Sequence, residues 1–434
     1  MKILVIGSGG REHAIVRALS KSETKTKIFC SHGNPGIAKL AECIKLDENN
    51  FSEMIKFCKE KEISLVIIGP EQPLANGLSD ALRNENIPVF GPSEAAAQLE
   101  SSKSFAKNFM KKYNIPTAKF ATFDFSQFDL AKDYISKMTT PIVIKADGLA
   151  GGKGVVIAEN LTVAIQNINE FFDGAFGNAS KKIVIEEFMQ GEEVSIFAIC
   201  DGNDFVTLTP SQDHKRIGDN DTGKNTGGMG SYSPVKFFNE KMLQKVCNEI
   251  IKPTIEGMKN EGNPFIGCLY VGLMVENGNS RVVEFNVRFG DPETQSVLTL
   301  FKGDFAKLLY SAVIGKLDKT AIQNDNSNIQ NNNSKEVACC VILASNGYPE
   351  KFETGFEITG NAYCEQENDI IVYHSGTNEV ADKLVTAGGR VLGITAVGED
   401  IKIAIDKAYK AAKQIDFANK YYRNDIGKRE LVRN

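Results

Sequence analysis

The first hundred residues alternate short β-branched runs with amphipathic stretches, and no other feature of the chain constrains its fold as much. Residues 2–7 (KILVIG), 27–31 (KIFCS), 65–69 (LVIIG) and 89–91 read as buried parallel strands, with helices over 12–20 and 74–84 between them. Strands that alternate with helices predict an open parallel α/β sheet. At 434 residues the chain has room for about three domains of ~150 residues each, and the pattern changes beyond the first unit. A helical stretch (SKSFAKNFMKKY) begins near Ser101 and stops before Pro116. Residues 142–146 with 155–158, and 183–189 with 193–200, read as two hairpin pairs. Residues 236–260 read as helix, and 268–276 with 281–289 as a further strand pair. Residues 322–335 (IQNDNSNIQNNNSK) have almost no apolar anchors to offset the entropy of ordering, so a loop or linker is expected there. Shortening 323–333 should change stability by less than about 1 kcal/mol, because loop closure depends weakly on length. A large drop in melting temperature would show instead that the segment packs. Strands at 336–344 and 391–396 predict a compact α/β tail.

Composition narrows the function classes. Lys and Arg total 50 against 55 Asp and Glu, a net charge of −5, which argues against a nucleic-acid partner and its need for a basic face. No apolar run reaches the ~18 residues that span a bilayer, and the N-terminus lacks the regions of a signal peptide. Nine cysteines, none in a Cys-x-x-Cys pair, read as reduced core thiols rather than a zinc site. The expectation is a soluble cytoplasmic protein with no nucleic-acid and no membrane partner.

Gly7-Ser8-Gly9-Gly10-Arg11-Glu12 lies between the first strand and the first helix, where backbone N–H groups and the helix dipole favour an anion. A dinucleotide fingerprint would need Gly where Glu12 stands and an acid after the second strand, which ends in Cys30-Ser31-His32, so NAD is disfavoured. A plain βα turn would look similar, but Arg11 favours phosphate. Gly69-Pro70-Glu71 closes a later strand at the same edge of the sheet, where such sheets bind ligands.

Lys145 stands inside an apolar strand, where its charge needs a partner. The following run, Gly148 to Gly154 with Gly151, Gly152 and Lys153, is not a Walker loop: Asp147 occupies the first Gly position and Gly154 replaces Ser or Thr. A Gly-rich lid over phosphates fits better than a mobile turn. The segment Glu186-Glu187-Phe188 to Glu193 could serve as an inter-strand hinge facing adenine and ribose; alone it would be an acidic hairpin end.

Residues 281–290 (RVVEFNVRFG) are the most informative. Strand period 2 puts Val283, Phe285, Val287 and Phe289 on a core face, and Glu284, Asn286 and Arg288 on the other, with ~7 Å between neighbours. A carboxylate and an amide oxygen are hard ligands suited to Mg²⁺ held jointly with nucleotide phosphates, and Arg288 could hold an oxyanion. Continuation into Gly290-Asp291-Pro292-Glu293 favours an active-site edge over a solvated strand face. Residues 212–216 and 225–230 form two polar loops without strand pattern, longer than compact domains keep without function. His214 within them reads as structural rather than as a general base.

Taken together the motifs resemble the phosphoribosylamine–glycine ligase (glycinamide ribonucleotide synthetase) family of the ATP-grasp superfamily. The resemblance is carried by GSGGREHA at 7–14, GPEQPLANGL at 69–78, IKADGLAGGKGV at 144–155, IEEFMQGEE at 185–193, QDHKRIGDNDTGKNTGGMGSYSP at 212–234 and VEFNVRFGDPETQ at 283–295. YHSGT at 373–377 and AGGRVLG at 387–393 add to it. It implies an N-terminal open parallel α/β domain (1–102), an ATP-grasp clamp of two α+β subdomains (103–320, lid 118–190), the Asn-rich linker (321–335) and a small C-terminal α/β domain (336–434). It also implies that Lys103 and Lys145 contact ATP phosphates under the 148–154 loop. Glu186, Glu187 and Phe188 would face adenine, and Glu193 ribose. Glu284 and Asn286 would hold Mg²⁺ or Mn²⁺. Gly9, Gly10, Arg11 and Glu71 would line the phosphoribosylamine site, with Asp213, Asn225, Thr226, Gly227, Gly228, Arg288, Gly290 and Asp291 around the reacting groups. Arg288, Lys145 and Asp213 are the expected catalytic residues, and transient contact with the enzyme that makes phosphoribosylamine is expected. Three positions depart from the family pattern: Gly151 replaces a common Ala, and Asn220 and Lys224 replace Gly and Pro in the 219–225 loop. The end near 434 implies that the further enzyme domains fused to this ligase in animals are absent. Two alternatives stay open: another ATP-grasp carboxylate ligase acting on bicarbonate or D-alanine, and a non-catalytic nucleotide-binding module.

Overall fold

The computed structural model describes residues 1–323, 336–360 and 369–433. The Asn-rich loop expected at 322–335 therefore lies outside the described residues, apart from Ile322 and Gln323.

The N-terminal apolar runs form one five-stranded parallel sheet in the order Glu42–Ile44, Lys27–His32, Lys2–Gly7, Leu65–Ile68, Val89–Phe90. The chain leaves the central strand with neighbours on either side, so the glycine loop after Gly7 opens at the topological switch point. Glu12, in the first turn of the helix Gly10–Ser20, turns back under the loop, and its Oε2 accepts the Gly9 N–H at 2.7 Å. The helix expected over 74–84 is two helices, Glu71–Ala75 and Leu78–Asn84, broken at Gly77 with φ +85°.

Beyond the helix Lys103–Lys112 the chain builds two antiparallel sheets. The first, the lid sheet, runs Phe120–Asp124, Lys182–Glu187, Ile142–Ala146, Val155–Ala158. The helices Phe128–Ser136 and Leu161–Phe172 pack on it around their own small core, which includes Ile135, Ile144 and Ile168. The second, the long sheet, runs Phe205–Thr207, Glu192–Asp201, Ile266–Glu276, Asn279–Asn286. The hairpin expected from 183–189 and 193–200 does not form: the two strands belong to different sheets, and residues 188–191 are the crossing between them. Both halves are apolar enough to be buried, and each pairs with strands of its own sheet, Lys182–Glu187 with Phe120–Asp124 and Glu192–Asp201 with Ile266–Glu276, rather than with the other. The helix expected over 236–260 starts at Glu240, capped by Asn239, and contains a π-helical turn at Cys247–Ile251.

The fourth sheet joins distant parts of the sequence. Its order is Gln212–Asp213, Gly230–Ser233, Val337–Ser345, Arg390–Gly398, Ile370–His374. The segment 212–234, expected to lack strands, thus contributes two short strands to a C-terminal sheet. A further hairpin, Arg216–Gly218 with Thr222–Asn225, projects between them. That hairpin carries Asn220 and Asp221, both at positive φ, and docks on the C-terminal segment. Asn220 N–H donates to Asp425 Oδ2 at 2.8 Å, and Asn424 N–H donates to Asp219 Oδ1 at 2.7 Å. Buried Arg423 donates to Arg216 O and Asp221 Oδ1 at 2.9 and 3.0 Å. Among the described residues no helix is long and apolar enough to cross a membrane.

Candidate active site

The strand Asn279–Asn286 is shorter and less regular than its sequence suggests. Gly272 faces Glu284 but Leu273 faces Val282, so Val283 is the extra residue of a β-bulge. The core face is therefore Val282, Phe285, Val287 and Phe289, not Val283. Arg288 lies past the strand end, in a bend. The bulge turns the Val283 carbonyl out of the ladder, where it accepts Lys145 Nζ at 3.2 Å.

Lys145 comes from the lid strand Ile142–Ala146, and Lys103 from the first turn of the helix that precedes the lid. The Asp147 carboxylate fixes their spacing by accepting the Ser104 N–H at 2.6 Å and the Ser102 hydroxyl at 3.2 Å, which caps that helix. Lys103 Nζ reaches the Gly148 carbonyl at 3.2 Å. The lid loop is a tight turn between antiparallel strands, with Lys145 opposite Val155. A side chain at Gly148 would press on the Ala179 backbone at 2.9 Å. Gly151 and Gly152 sit at φ +57° and +75° at its tip, with Lys153 exposed beside them and Gly152 reaching toward the Thr226 carbonyl.

The hinge residues are more engaged than expected. Glu186 is buried and holds Lys145 Nζ and Lys107 Nζ at 3.0 Å each. The Glu187 carboxylate accepts from Arg281 at 2.9 Å and from the Lys119 N–H at 3.0 Å, tying the lid to the long sheet. Phe188 is 38% exposed in the crossing. Glu193 pairs with Lys215 at 2.6 Å, and Lys215 Nζ also stands 3.7 Å from Glu284 Oε1.

Around Glu284 the charges alternate. Burial pushes its carboxyl up, but Lys215, Lys145, Lys103 and Arg288 outweigh it and hold the pKa below the usual value. Asp213, two residues before Lys215 in sequence, is buried with Oδ1 lacking a hydrogen-bond partner among the described residues. Burial raises its carboxyl well above the ordinary range despite Lys215. Neighbouring His214 is buried, and burial, with Arg423 and Arg429 nearby, pushes its imidazole down to about 3. The ring should therefore stay neutral between pH 8 and 5, and its proton resonances should not shift over that range in an NMR titration. A midpoint near 6.5 would return it to the candidate bases.

At the opposite end Arg288 is clamped. Its Nε donates to Glu71 at 3.2 Å and its second terminal nitrogen pairs with Glu100 at 2.9 Å. Glu100 also accepts the Val287 N–H at 2.7 Å. Arg11 stands 4.0 Å from Glu71 and donates to Glu12 and to the Phe289 carbonyl at 2.6 and 3.3 Å. Burial would raise the Glu71 carboxyl, yet Arg288 and Arg11 bring it down to about 2. Arg390, from the C-terminal sheet, donates to the Gly227 and Asp291 carbonyls at 2.6 and 2.8 Å and pairs with the Asp291 carboxylate at 3.2 Å. Thr226 caps the same turn, its hydroxyl donating to the Lys215 carbonyl at 2.7 Å. Asn225 ends the hairpin strand before that turn, and a side chain on Gly228, at φ +107°, would collide with Pro292. A side chain on Gly290 would meet the Glu293 carboxylate, and one on Gly10 would meet Ser375 and Gln295. Gly9, Gly10 and Glu71 thus face Arg288 and Asp291 across one cleft edge, while Lys103, Lys145 and Glu284 gather at the lid side.

Sequence reasoning missed Lys107, Lys215, Glu100, Glu293 and Arg390 as parts of this arrangement. Lys107 was within reach of it, one helical turn after Lys103 on the same face. Glu293 is buried with Tyr270 donating to it at 3.0 Å, and no local pattern announces that.

Residues 1–100, 101–294 and 338–429 match, in turn, the N domain, the ATP-grasp (A) domain and the C domain of the phosphoribosylglycinamide synthetase family. A phosphoribosylamine–glycine ligase from Brucella melitensis is 44% identical over 433 residues, covering 100% of this chain and 99% of the relative. The chain belongs to the phosphoribosylamine–glycine ligase family. It is an ATP-grasp ligase of purine biosynthesis, at the step that joins glycine with the use of ATP. The solved phosphoribosylamine–glycine ligase of Thermotoga maritima superposes with a TM-score of 0.82 at 34% identity, covering 98% of this chain and 100% of that one. Biotin carboxylase from Campylobacter jejuni shares the fold, with a TM-score of 0.71 at 16% identity over 97% of this chain and 92% of that one. Membership in the ligase family decides against the bicarbonate, D-alanine and non-catalytic alternatives.

Proposed function

We propose that the cleft joins glycine to 5-phosphoribosylamine in two steps. The glycine carboxylate attacks the γ-phosphorus of ATP, giving glycyl phosphate and ADP. The amine of phosphoribosylamine then attacks the acyl carbon, phosphate leaves, and glycinamide ribonucleotide results. The observation that carries this reading is the meeting of Lys145 with the bulged strand: the phosphate-seeking lysine contacts the Val283 carbonyl one residue before Glu284.

Both steps build negative charge on oxygens, so the protein's work is positioning and electrostatic stabilisation. Lys103 and Lys145 would bind the ATP phosphates, with Gly148, Gly151, Gly152, Lys153 and Gly154 closing over them. Glu186 and Phe188 would offer backbone groups to adenine, and Glu193 would bind ribose through its carboxylate, exchanging Lys215 for the hydroxyls. Glu187 is better suited to holding the hinge, since its carboxylate is already paired to Arg281. Gly9, Gly10, Arg11 and Glu71 would line the phosphoribosylamine side, and Asp213, Asn225, Thr226, Gly227, Gly228, Arg288, Gly290 and Asp291 would surround the reacting groups. Glu284 and Asn286 fit Mg²⁺ or Mn²⁺: both are oxygen donors, and Glu284 is kept ionised by its cationic neighbours. A divalent ion there would neutralise charge on the ATP phosphates during transfer.

We also propose the division into 1–102, 103–320 and 336–434, cytoplasmic location, and transient contact with the enzyme that supplies phosphoribosylamine. Glycine-dependent ADP release, measured with and without phosphoribosylamine, tests the activity. Release that ignores glycine would sink it.

A further inference from the structure

Three buried charges meet where the lid joins the body. The Glu186 carboxylate takes Lys145 Nζ on Oε1 and Lys107 Nζ on Oε2, both at 3.0 Å. The side chains of Lys107, Lys145 and Glu186 are only 3%, 6% and 2% exposed. Glu186 and Lys145 lie on the lid sheet, whereas Lys107 lies on the helix Lys103–Lys112. Lys107 Nζ also donates to the Thr117 hydroxyl at 2.7 Å, which donates to the Val282 carbonyl at 2.7 Å. Lys145 donates to the next carbonyl, that of Val283. The two lysines thus reach adjacent carbonyls of one strand, Lys145 directly and Lys107 through the Thr117 hydroxyl, and share one carboxylate.

Among the groups in direct contact, one carboxylate between two ammonium groups leaves a surplus of one positive charge, with Glu284 acting on both lysines without pairing directly with either. Buried charge without a counter-charge is costly, so the cluster favours an anion against it. Without Lys107, Glu186 and Lys145 would form a neutral pair, and Lys145 would have far less attraction to offer. Burial lowers the Lys107 ammonium to about 8, with Glu186 supporting the charge, Lys145 opposing it and Glu284 adding support. At neutral pH it is therefore mostly protonated.

We propose that Lys107 is a positioning residue for the polyphosphate of the nucleotide: it satisfies Glu186 from the far side and so leaves the charge of Lys145 to the phosphates. It acts through Glu186 and touches no reacting atom. The inference rests on the ATP reading above and adds the source of the surplus positive charge.

Binding of ATP by titration calorimetry, and of adenosine by competition at millimolar concentration, tests it on wild type, Lys107→Met and Lys107→Met with Glu186→Gln. Lys107→Met should weaken ATP at least tenfold and change adenosine less than twofold. The double substitution restores the surplus charge and should bring ATP affinity back to within about threefold of wild type. An equal loss for ATP and adenosine in Lys107→Met would mark a purely structural role and overturn the proposal. So would a double variant that binds ATP no better than the single one. If Lys107→Met does not fold, the double variant, which keeps the net charge of the wild-type cluster, is compared with wild type directly, and a loss beyond tenfold overturns the proposal. Wild type that binds no ATP would instead overturn the reading of the site itself, so the two failures are distinct.

Discussion

Glu284→Gln should fold like the parent and lose turnover by on the order of a hundredfold, which corresponds to about 2.7 kcal/mol in the barrier. The substitution keeps the volume and one carbonyl oxygen of the side chain, so packing against Gly272 on the neighbouring strand is preserved. It removes the charge that Lys215, Lys145, Lys103 and Arg288 all face. A site that shares a divalent cation between this residue, Asn286 and the nucleotide loses its one anionic protein ligand. The Mg²⁺ concentration for half-maximal rate should therefore rise as turnover falls, while the thermal midpoint stays within a few degrees. Wild-type turnover at ordinary Mg²⁺ would remove Glu284 from the metal site.

Arg288→Lys should produce a second large loss, again on the order of a hundredfold in turnover, with ATP affinity changed by less than about threefold. Lysine keeps the charge but not the planar fork. In the native protein burial would lower the Arg288 pKa, yet Glu100 and Glu71 raise it, so the guanidinium is held charged with two carboxylates engaged at once. A single ammonium cannot span both. Glu100, which is buried, would be left partly unpaired, and stability should fall by up to about 3 kcal/mol, the low end of the cost of breaking a buried ion pair, because the charge is kept. The ratio of turnover per folded molecule to ATP affinity separates catalysis from stability. A destabilised variant with undiminished turnover would make Arg288 a structural clamp and leave charge stabilisation to Lys145 and the metal.

The sequence was most legible where structure is local. The period-2 pattern of 281–290 located Glu284 and Asn286 on a polar strand face, and the open parallel sheet followed from alternating runs. The Val283 bulge was hidden because register against Ile266–Glu276 decides it, and a one-residue slip leaves no mark on the sequence. The two strands either side of the 188–191 crossing looked like a hairpin because apolar runs do not state which sheet will take them. Glu186 illustrates the same limit at the site. Its acidic position was visible, but the lysines that bury it arrive from positions 41 and 79 residues earlier in the chain. The resemblance carried the chemistry, and the pairing of the Glu187 carboxylate with Arg281 is a tertiary contact that it did not include.

The sheet that joins Gly230–Ser233 to Val337–Ser345 has a consequence for how the molecule comes into being. The strand Gly230–Ser233 leaves the ribosome about 100 residues before its neighbour, a wait of roughly 5–20 s at ordinary elongation rates. The parallel N-terminal sheet has all its strands by residue 90 and can form during that interval. The turn holding Thr226, Gly227 and Gly228 cannot, because the Arg390 that grips it is made later still. The active-site floor is therefore a late event in the life of the nascent chain. Stalling translation between residues 290 and 330, with the 212–234 segment clear of the ribosome, should yield chains whose first hundred residues resist protease while that segment is cut.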